Sequence, residues 1–537
     1  MNIYLNLHPS ADELSVVELN QPVKFFTYHK TETPRDIIGL EMEENSSILK
    51  DLWKVSQGPW KSGVLPSSEQ LARARNSIPT TLPTTGSGLE SVQRHILDDI
   101  VPAFNGGSIS PNYYGFITGG VTPAALFADN VVSAYDQNVQ VHLPNHSIVT
   151  EVEFHALGML SDLFRLDRST WQNGTFTTGA TASNILGLAC GREFILQKAA
   201  ERKGSQITSV GENGLLEVLQ AAGLSGIQVL STMPHSSLVK AAGVLGIGRA
   251  NVRNVCSADN ALLFDMTILE KELARTDKAS IVAISCGEVN TGRFATSGVQ
   301  QFKDIRRLCD KYGAWIHVDG AFGIFGRVLE DNPEFETIKK GSEGIELADS
   351  ITGDGHKLLN VPYDCGFFFC RHPDLSSQVF QNANAAYLSA GPSEGLAVPS
   401  PLNIGLENSR RFRALPVYAS LLSYGREGYS DMLRRQIGLA RAIYDWIYDS
   451  ADYVALPETS SKSDLLDQTF MSVLLRANDD TLNRDLAKKI NETSRMFVSG
   501  TSWQGAPACR IAISNWRVDV ERDTKLVIDV LKQVARS

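Results

Sequence analysis

One short stretch of the sequence, Asp349-Ser-Ile-Thr-Gly-Asp-Gly-His-Lys357, holds residues that could do covalent chemistry. Its pattern predicts a buried strand that runs into a tight turn, with Asp354, His356 and Lys357 crowded together. Desolvation lowers the pKa of a lysine and makes its amine nucleophilic, as Schiff-base chemistry with a carbonyl cofactor requires. On this stretch alone, a solvated lysine on a turn is an equally good interpretation.

A second candidate is Gly174-Thr-Phe-Thr-Thr-Gly-Ala-Thr-Ala-Ser-Asn184, where a predicted strand passes directly into an apolar-periodic helix. The free N–H groups and the positive dipole end at such a helix start suit a phosphate, with Thr181, Ala182 and Ser183 as contacts. A plain Ser/Thr N-cap is the commoner role of such a sequence. The segment lacks the Gly-Lys-Ser/Thr ending of an NTPase loop.

Two further polar residues, His235 and Asp319, also lie at the ends of predicted strands. Asp319 closes an apolar strand, and a buried carboxylate needs a partner. A protonated pyridine nitrogen would be one such partner, and a lysine or arginine is the commoner one. Because ligands bind at the carboxyl ends of parallel strands, we expect these residues, Lys357 and the phosphate turn to converge.

The elements that must position these residues alternate between short apolar strands and helices. This alternation predicts an α/β fold with a mostly parallel sheet covered on both faces. From about residue 425 the pattern changes to a smaller α/β unit. The Gly-, Pro- and Ser-rich stretch 382–403 predicts a mobile lid or binding loop, which carries Tyr387.

The composition excludes several classes of protein. The 537 residues are 43% apolar and 20% charged, as in ordinary globular domains, and the net charge of −10 argues against nucleic acid or membrane partners. Seven widely spaced cysteines without a C-x-x-C motif indicate free thiols, and no histidine pattern predicts a metal site. With no signal-peptide pattern and no long apolar run, we expect a cytoplasmic protein.

Taken together, the motifs resemble the group II pyridoxal-phosphate-dependent amino acid decarboxylases, which include the aromatic-L-amino-acid and glutamate decarboxylases. The resemblance covers roughly residues 70–535 and follows the family's order and spacing. It rests on Pro111-Asn-Tyr-Tyr-Gly115, Thr178-Gly-Ala-Thr-Ala-Ser-Asn184, His235-Ser-Ser237, His317-Val-Asp-Gly-Ala321, Asp354-Gly-His-Lys357, Pro362-Tyr-Asp-Cys-Gly366 and Ser409-Arg-Arg-Phe-Arg-Ala414.

The resemblance implies pyridoxal 5'-phosphate as cofactor and the aspartate-aminotransferase-like fold type I. It implies an N-terminal segment (1–110) that packs on a dimer partner, a large cofactor-binding domain (111–424) and a small C-terminal domain (425–537). The active site would lie at the interface of a homodimer. The implied cofactor contacts are the Schiff-base lysine Lys357, Asp319 on the pyridine nitrogen, His235 and Ala321 on the ring faces, and Thr181, Ala182, Ser183 and His356 on the phosphate.

The resemblance also implies residues that act on the substrate. Tyr387 corresponds to the acid that protonates the α-carbon, which favours an amine as the product. The substrate pocket would be lined by Tyr114 and Phe116 and by Val139 and Val141 from the partner subunit.

The implied function is the decarboxylation of an L-amino acid to an amine and carbon dioxide, with an aromatic substrate as one option. The alternatives are oxidative decarboxylation–deamination to an aldehyde, and carbon–carbon bond formation or cleavage. A non-catalytic scaffold is disfavoured because Lys357, Asp319 and His235 are all present. Departures from the family pattern are Glu288 and Val289 in place of two threonines, Pro416 in place of a lysine, and Gly355 in place of a frequent proline.

Overall fold

The computed structural model describes residues 64–382 and 398–536. The expectations for residues 1–63 and for Tyr387 therefore lie outside the described residues. The strands are β1 (Tyr113–Tyr114), β2 (Gly174–Thr177), β3 (Gly226–Ser231), β4 (Val252–Asn254), β5 (Lys278–Ser285), β6 (Trp315–Asp319), β7 (Ser350–Asp354), β8 (Gly366–Cys370), β9 (Tyr453–Leu456), β10 (Ser472–Ala477), β11 (Phe497–Trp503) and β12 (Ala506–Ala512).

The α-helices span one turn to about ten turns. They are α1 (Ser68–Ser77), α2 (Leu89–Arg94), α3 (Pro123–Tyr135), α4 (Val149–Leu163), α5 (Ala180–Arg202), α6 (Val210–Asn213), α7 (Leu215–Ala221), α8 (Ser236–Val244), α9 (Met266–Leu273), α10 (Val299–Tyr312), α11 (Glu336–Gly341), α12 (Gly355–Leu358), α13 (Pro373–Phe380), α14 (Ala414–Tyr448), α15 (Lys462–Asp467), α16 (Asp480–Glu492) and α17 (Val520–Ala535).

The larger sheet has seven strands in the order β2-β8-β7-β6-β5-β3-β4. Strands β3 to β7 pair in parallel, whereas β8 runs antiparallel to both of its neighbours, β2 and β7. The carboxyl ends of β2, β3, β5, β6 and β7 therefore share one edge with the start of β8. The prediction of a mostly parallel α/β sheet is confirmed.

Alternate residues of the central strands pack into two different cores. On β6, Trp315 belongs to the core beneath α5, whereas Ile316 belongs to the core beneath α10. On β8, Phe368 and Phe367 divide in the same way. Because successive side chains of a strand point to opposite faces, this division shows a sheet buried on both sides.

The smaller sheet has the order β1-β11-β12-β10-β9 and is antiparallel except for the β1–β11 pair. Tyr113 pairs with Phe497, so a strand from the first quarter of the chain joins a sheet made otherwise of C-terminal strands. The sequence did not predict this pairing. Helix α14 has non-helical dihedral angles at Gly425 (φ 56°, ψ −171°), where the small domain was expected to begin. The division into domains stays a prediction.

Within the described residues, no helix has both the length and the apolar composition that crossing a bilayer requires. The helix that begins at Leu89 is α-helical only as far as Arg94. It continues as a π-helical turn over His95–Ile100 and a 3-10 turn over Val101–Ala103.

Candidate active site

The strand ends of the larger sheet surround a cavity of about 260 Å³. Its lining holds three of the strand-end residues singled out from the sequence, His235, Asp319 and Lys357. The other lining residues are Thr178, Gly179, Ala180, Thr181, Ala182, Ser237, Ser285, Gly287, Val289, Ala321, Phe322, Asp354, His356 and Tyr363. The convergence expected for a parallel sheet is thus present in the structure.

Lys357 stands on the one-turn helix α12, which follows β7 directly. Its Nζ atom lies 2.9 Å from Oδ2 of Asp354 and 5.7 Å from the ring centroid of Phe322. The side chain of Lys357 is one-fifth exposed, and that of Asp354 is buried. The amine is thus held at the cavity wall by a buried carboxylate.

The start of α5 forms one end of the cavity. Its N-cap residue, Gly179, has φ 154° and offers no side chain, so the first N–H groups of the helix lack a side-chain cap. Ala180 donates its N–H to Oδ1 of Asp354 at 2.6 Å. Thr181 and Ala182 line the cavity as expected and leave first-turn N–H groups for an anion.

Ser183, the third predicted phosphate contact, is fully buried, and its hydroxyl lies 2.7 Å from that of Thr177. One residue along a helix turns the side chain through about 100°. The structure therefore places the Ser183 hydroxyl away from the cavity. Thr178, Gly179 and Ala180 line the cavity in its stead.

His356 contributes a neutral imidazole beside this helix start. Its Nδ1 atom donates a hydrogen bond to the carbonyl oxygen of Cys365 at 2.8 Å. Burial lowers the pKa of His356 below its ordinary value, and Asp354 opposes that shift. The ring lies 4.6 Å from the ring of Tyr363, centroid to centroid. A bound phosphate near Nε2 would favour the protonated imidazole.

Asp319 lies in the cavity wall between the two ends of the site. Oδ2 accepts a hydrogen bond from Nδ2 of Asn184 at 2.9 Å, and Oδ1 accepts one from the N–H of Ala321 at 3.2 Å. Within the described parts of the chain, no lysine, arginine or histidine forms an ion pair with this carboxylate. A buried carboxylate without a cation fits a protonated ring nitrogen of a ligand.

His235 is the N-cap residue of α8, and its ring is accessible from the cavity. Nδ1 accepts hydrogen bonds from the hydroxyl of Ser237 at 2.7 Å and from its backbone N–H at 3.2 Å. Desolvation lowers the pKa of His235, so its imidazole is neutral near pH 7. The proton of the neutral ring is on Nε2, and the flat face of the ring is free to stack on a ligand.

The structure does not bring the predicted substrate-pocket residues to this cavity. Tyr114 is buried in the core of the smaller sheet, where burial raises the pKa of its hydroxyl. Val139 is fully buried in the core of its own chain, whereas Val141 is half-buried. Phe116 is exposed, and Tyr387 lies outside the described residues.

Two departures from the family pattern have local explanations. Both carboxylate oxygens of Glu288 are used within its own loop: they accept hydrogen bonds from the N–H groups of Asn290 and Thr291 and from the Thr291 hydroxyl. Glu288 therefore orders its own loop. Pro416 lies in the first turn of α14, where the backbone has no intrahelical use for its missing N–H.

Sequence reasoning did not single out several residues of the site, among them Asn184, Ser285, Phe322 and Tyr363. Tyr363 stands in the quoted Pro-Tyr-Asp motif, and Asn184 ends the quoted phosphate motif, so their positions carried a signal. Ser285 is the last residue of β5 and would have followed from the same rule as Asp319, whereas Phe322 stands three residues beyond the end of β6. No group of three or more metal-ligating side chains occurs in the part of the chain that the structure describes.

These features fit pyridoxal 5'-phosphate. The start of α5 offers N–H groups for a phosphate, the unpaired Asp319 offers an acceptor for a protonated pyridine nitrogen, and Lys357 offers an amine for the aldehyde. His235 and Ala321 line the cavity as candidates for the two ring faces. The site therefore offers one polar partner for each of the cofactor's phosphate, ring nitrogen and aldehyde.

Comparison with known proteins gives relatives of this chemistry. An L-2,4-diaminobutyrate decarboxylase of Acinetobacter baumannii is 28% identical over 374 residues, which are 68% of this chain and 69% of that protein. An aromatic-L-amino-acid decarboxylase of Catharanthus roseus is 23% identical over 98% of each chain.

Solved structures share the fold. Oryza sativa TDC with PLP and tryptamine aligns with a TM-score of 0.75 and 20% identity, over 95% of this chain and 99% of that one. Rhodiola rosea 4-hydroxyphenylacetaldehyde synthase aligns with a TM-score of 0.74 and 18% identity, over 93% and 98%. These likenesses confirm the fold type I architecture.

The sequence model of the pyridoxal-dependent decarboxylase conserved domain matches residues 72–461, well over half of the chain. The chain therefore belongs to the pyridoxal-dependent decarboxylases and is a carboxy-lyase that uses pyridoxal 5'-phosphate.

Proposed function

We propose that the protein converts an L-amino acid with an uncharged, aromatic side chain into the corresponding amine and carbon dioxide. One observation carries this proposal: Lys357, Asp319, His235 and the start of α5 line a single cavity. These are the amine, carboxylate, stacking ring and anion site that the chemistry needs.

The chain's own groups have separate tasks. The N–H groups of Thr181 and Ala182 bind the phosphate, with His356 beside them. The Asp319 carboxylate would accept the pyridinium N–H, and His235 and Ala321 would hold the ring. When bound, the cofactor supplies an electron sink for the bond that breaks at the substrate α-carbon.

Lys357 supplies the amine that binds the cofactor, and Tyr387 supplies the proton for the substrate α-carbon. Lys357 Nζ is the amine that would hold the cofactor through its aldehyde group and would give up that place to the substrate amine. After carbon dioxide has left, the α-carbon needs a proton, and we assign its delivery to the Tyr387 hydroxyl. The assignment of Tyr387 rests on the sequence resemblance.

The proposal of an uncharged side chain rests on the charges of the cavity. Its charged lining residues are Asp319, Asp354 and Lys357, beside the neutral imidazole of His356, and each already has a task. The nearby guanidinium of Arg510 donates to the carbonyl oxygens of Val289 and Gly115 at 2.9 Å each. In the described chain, no further charge lines the cavity to pair with a charged substrate side chain.

The test is mass spectrometry of the products after cofactor-loaded protein meets L-tryptophan, L-tyrosine, L-2,4-diaminobutyrate and L-aspartate separately in air. We expect the amine of an aromatic substrate, with kcat/KM at least tenfold above that for either charged substrate. Preferential turnover of a charged substrate would overturn the proposed substrate class but would leave the assignment as a decarboxylase intact. An aldehyde with ammonia and peroxide would replace the amine outcome by the oxidative alternative.

We also propose a cytoplasmic homodimer with its active site at the interface, divided into segments as the sequence predicts. Support comes from large apolar side chains exposed on one stretch of the chain: Phe116, Phe127, Tyr135 and Ile148 are 59%, 66%, 73% and 64% exposed. Exposed apolar surface of this kind is typical of a subunit interface. Sedimentation equilibrium gives the mass in solution, and a monomer at micromolar concentration would contradict the proposal.

A further inference from the structure

A chain of hydrogen bonds runs through the core beside the cavity. Nε1 of Trp315 lies 3.0 Å from the hydroxyl of Ser350, and that hydroxyl lies 2.8 Å from Nδ1 of His317. Nε2 of His317 lies 2.9 Å from Oδ1 of Asn184. All four side chains are fully buried.

The other end of this chain reaches the active site. The two N–H bonds of the Asn184 amide point to Oδ2 of Asp319 at 2.9 Å and to the hydroxyl of Ser237 at 3.1 Å. The Ser237 hydroxyl in turn lies 2.7 Å from Nδ1 of His235. One buried amide thus touches both the acid of the site and the support of its stacking ring.

The direction of every bond follows from its two ends. An indole N–H only donates and a carboxylate only accepts. The Asp319 carboxylate accepts from Nδ2 of Asn184, so Oδ1 of Asn184 faces His317 and accepts the proton on its Nε2. The Nδ1 atom of the neutral His317 ring then carries no proton and accepts from the Ser350 hydroxyl, which itself accepts from Trp315. With Oδ1 and Nδ2 exchanged, the amide oxygen of Asn184 would face the Asp319 carboxylate, which is also an acceptor. The amide nitrogen would face the Nε2–H of His317, which is also a donor.

Helix α5 has small residues where the hydrogen-bonded side chains of β6 pack against it. Asn184, Gly187 and Gly191 share one face of α5, and they face Asp319, His317 and Trp315 of β6. A methyl group on Gly187 would overlap the His317 imidazole, and one on Gly191 would come within 2.8 Å of Cδ1 of Trp315. The absence of side chains there lets both rings lie directly against the helix.

We propose that Asn184 is a positioning residue that keeps the Asp319 carboxylate oriented towards the cofactor's ring nitrogen, and that His317, Ser350 and Trp315 lock the Asn184 amide in the required orientation. This inference rests on the proposed function for the identity of the ring nitrogen. It adds residues that do not line the cavity, since neither Asn184 nor His317 is among the lining residues.

The decisive measurement is the 15N chemical shift of the pyridine nitrogen when labelled pyridoxal 5'-phosphate is bound. We expect a protonated nitrogen in the wild type and a shift towards the unprotonated value in Asn184→Leu. The dissociation constant of the cofactor should rise roughly ten- to hundredfold, because one bond to a charged acceptor is lost. Gln228→Leu is the matched control, since Gln228 is a fully buried amide of the same sheet, bonded to Glu272 and Ser280. It should leave the pyridine signal unchanged.

A second pair of variants decides the question if Asn184→Leu does not fold. His317→Leu removes the donor that locks the amide, whereas His317→Gln keeps an N–H donor near the same position. We expect the pyridine signal to move in the first and to stay in the second. Unchanged signals in both Asn184→Leu and His317→Leu would overturn the proposal.

The cofactor-free protein gives an independent check. Long-range 1H–15N spectra of histidine-labelled protein should show His317 as the neutral Nε2–H tautomer, and an Nδ1–H ring would also overturn the proposal. If all these signals behave as expected while no amino acid is decarboxylated, the proposed function fails and the role of Asn184 stands.

Discussion

Lys357 and Asp354 form an ion pair of 2.9 Å, and the second oxygen of the same carboxylate accepts the first N–H of helix α5. The carboxylate of Asp354 therefore joins the amine of the site to its phosphate end. Because Asp354 and Ala180 are buried, this carboxylate fixes the position of the Lys357 amine relative to the start of α5. A ligand can therefore contact the amine and the helix start at the same time.

Replacement of Lys357 tests the identity of the Schiff-base residue. Lys357→Ala should lose the visible absorbance of covalently held cofactor and lower turnover by several orders of magnitude, since no other lysine lines the cavity among the described residues. Lys311→Ala, on an exposed lysine paired with Glu270, is the control. An unchanged visible spectrum in Lys357→Ala would remove the assignment.

Replacement of Tyr387 tests the proton donor. Tyr387→Phe should bind the cofactor normally and shift the product from amine towards aldehyde, because the α-carbon then lacks its acid. The ratio of amine to aldehyde by mass spectrometry checks this, with Tyr135→Phe on an exposed tyrosine as the control. Amine output equal to the wild type would assign the proton to another group.

Arg410 and Arg411 are adjacent in sequence and should differ strongly in their effect on stability. Arg410 forms a buried bidentate pair with Glu153 and also bonds Gln140, whereas Arg411 forms a half-exposed pair with Asp129. Arg410→Ala should lower the free energy of unfolding by about 3–5 kcal/mol, because it leaves Glu153 buried and unpaired. Arg411→Ala should cost under about 1 kcal/mol. Denaturant titration gives both values, and equal losses would contradict the burial argument.

A methyl group on Gly187 tests the packing of α5 on β6. Gly187→Ala would overlap the His317 ring and should cost about 1–3 kcal/mol of unfolding free energy. Gly86→Ala is the control, because no atom lies within 4 Å of the added methyl group. A melting temperature of Gly187→Ala equal to that of the control would show that the ring can move aside freely.

The buried His317 predicts a loss of stability in mild acid. Burial lowers its pKa to about 4, so the native state stays neutral while the unfolded state takes up a proton near pH 6.5. Stability should therefore fall as the pH drops from about 6.5 towards 4, by on the order of 3 kcal/mol from this residue. His317→Gln should flatten that slope, whereas His146→Gln, on an exposed ring, should leave it unchanged. Unfolding free energies between pH 4 and 7 decide this.

The sequence allowed a good part of the site to be predicted, because strand ends can be read from apolar runs. His235, Asp319 and Lys357 follow from that rule, as does the start of α5. The orientation of Ser183 does not, since it depends on how α5 is rotated against β8. The role of Asn184 was equally hidden, because its side-chain partners come from β6 and α8, two elements that only the folded structure brings against α5.

Sequence reasoning was weaker where a short segment joins a distant sheet. Tyr114 lies in a two-residue strand that pairs in parallel with β11, and this places its side chain in the core of the smaller sheet. No local pattern of two residues can predict such a pairing. Val139 is likewise buried among residues distant in the sequence, and its N–H donates to the carbonyl oxygen of Arg410.

The position of β2 at the margin of the larger sheet has a consequence for the order of events during synthesis. β2 pairs only with β8 in the described sheet, and β8 is made nearly two hundred residues later. A nascent chain that ends before Gly366 cannot yet dock the strand that carries the phosphate-binding turn. Such long-range pairing is slow to form. Ribosome-bound chains are therefore expected to gain cofactor affinity only after β8 has left the exit tunnel.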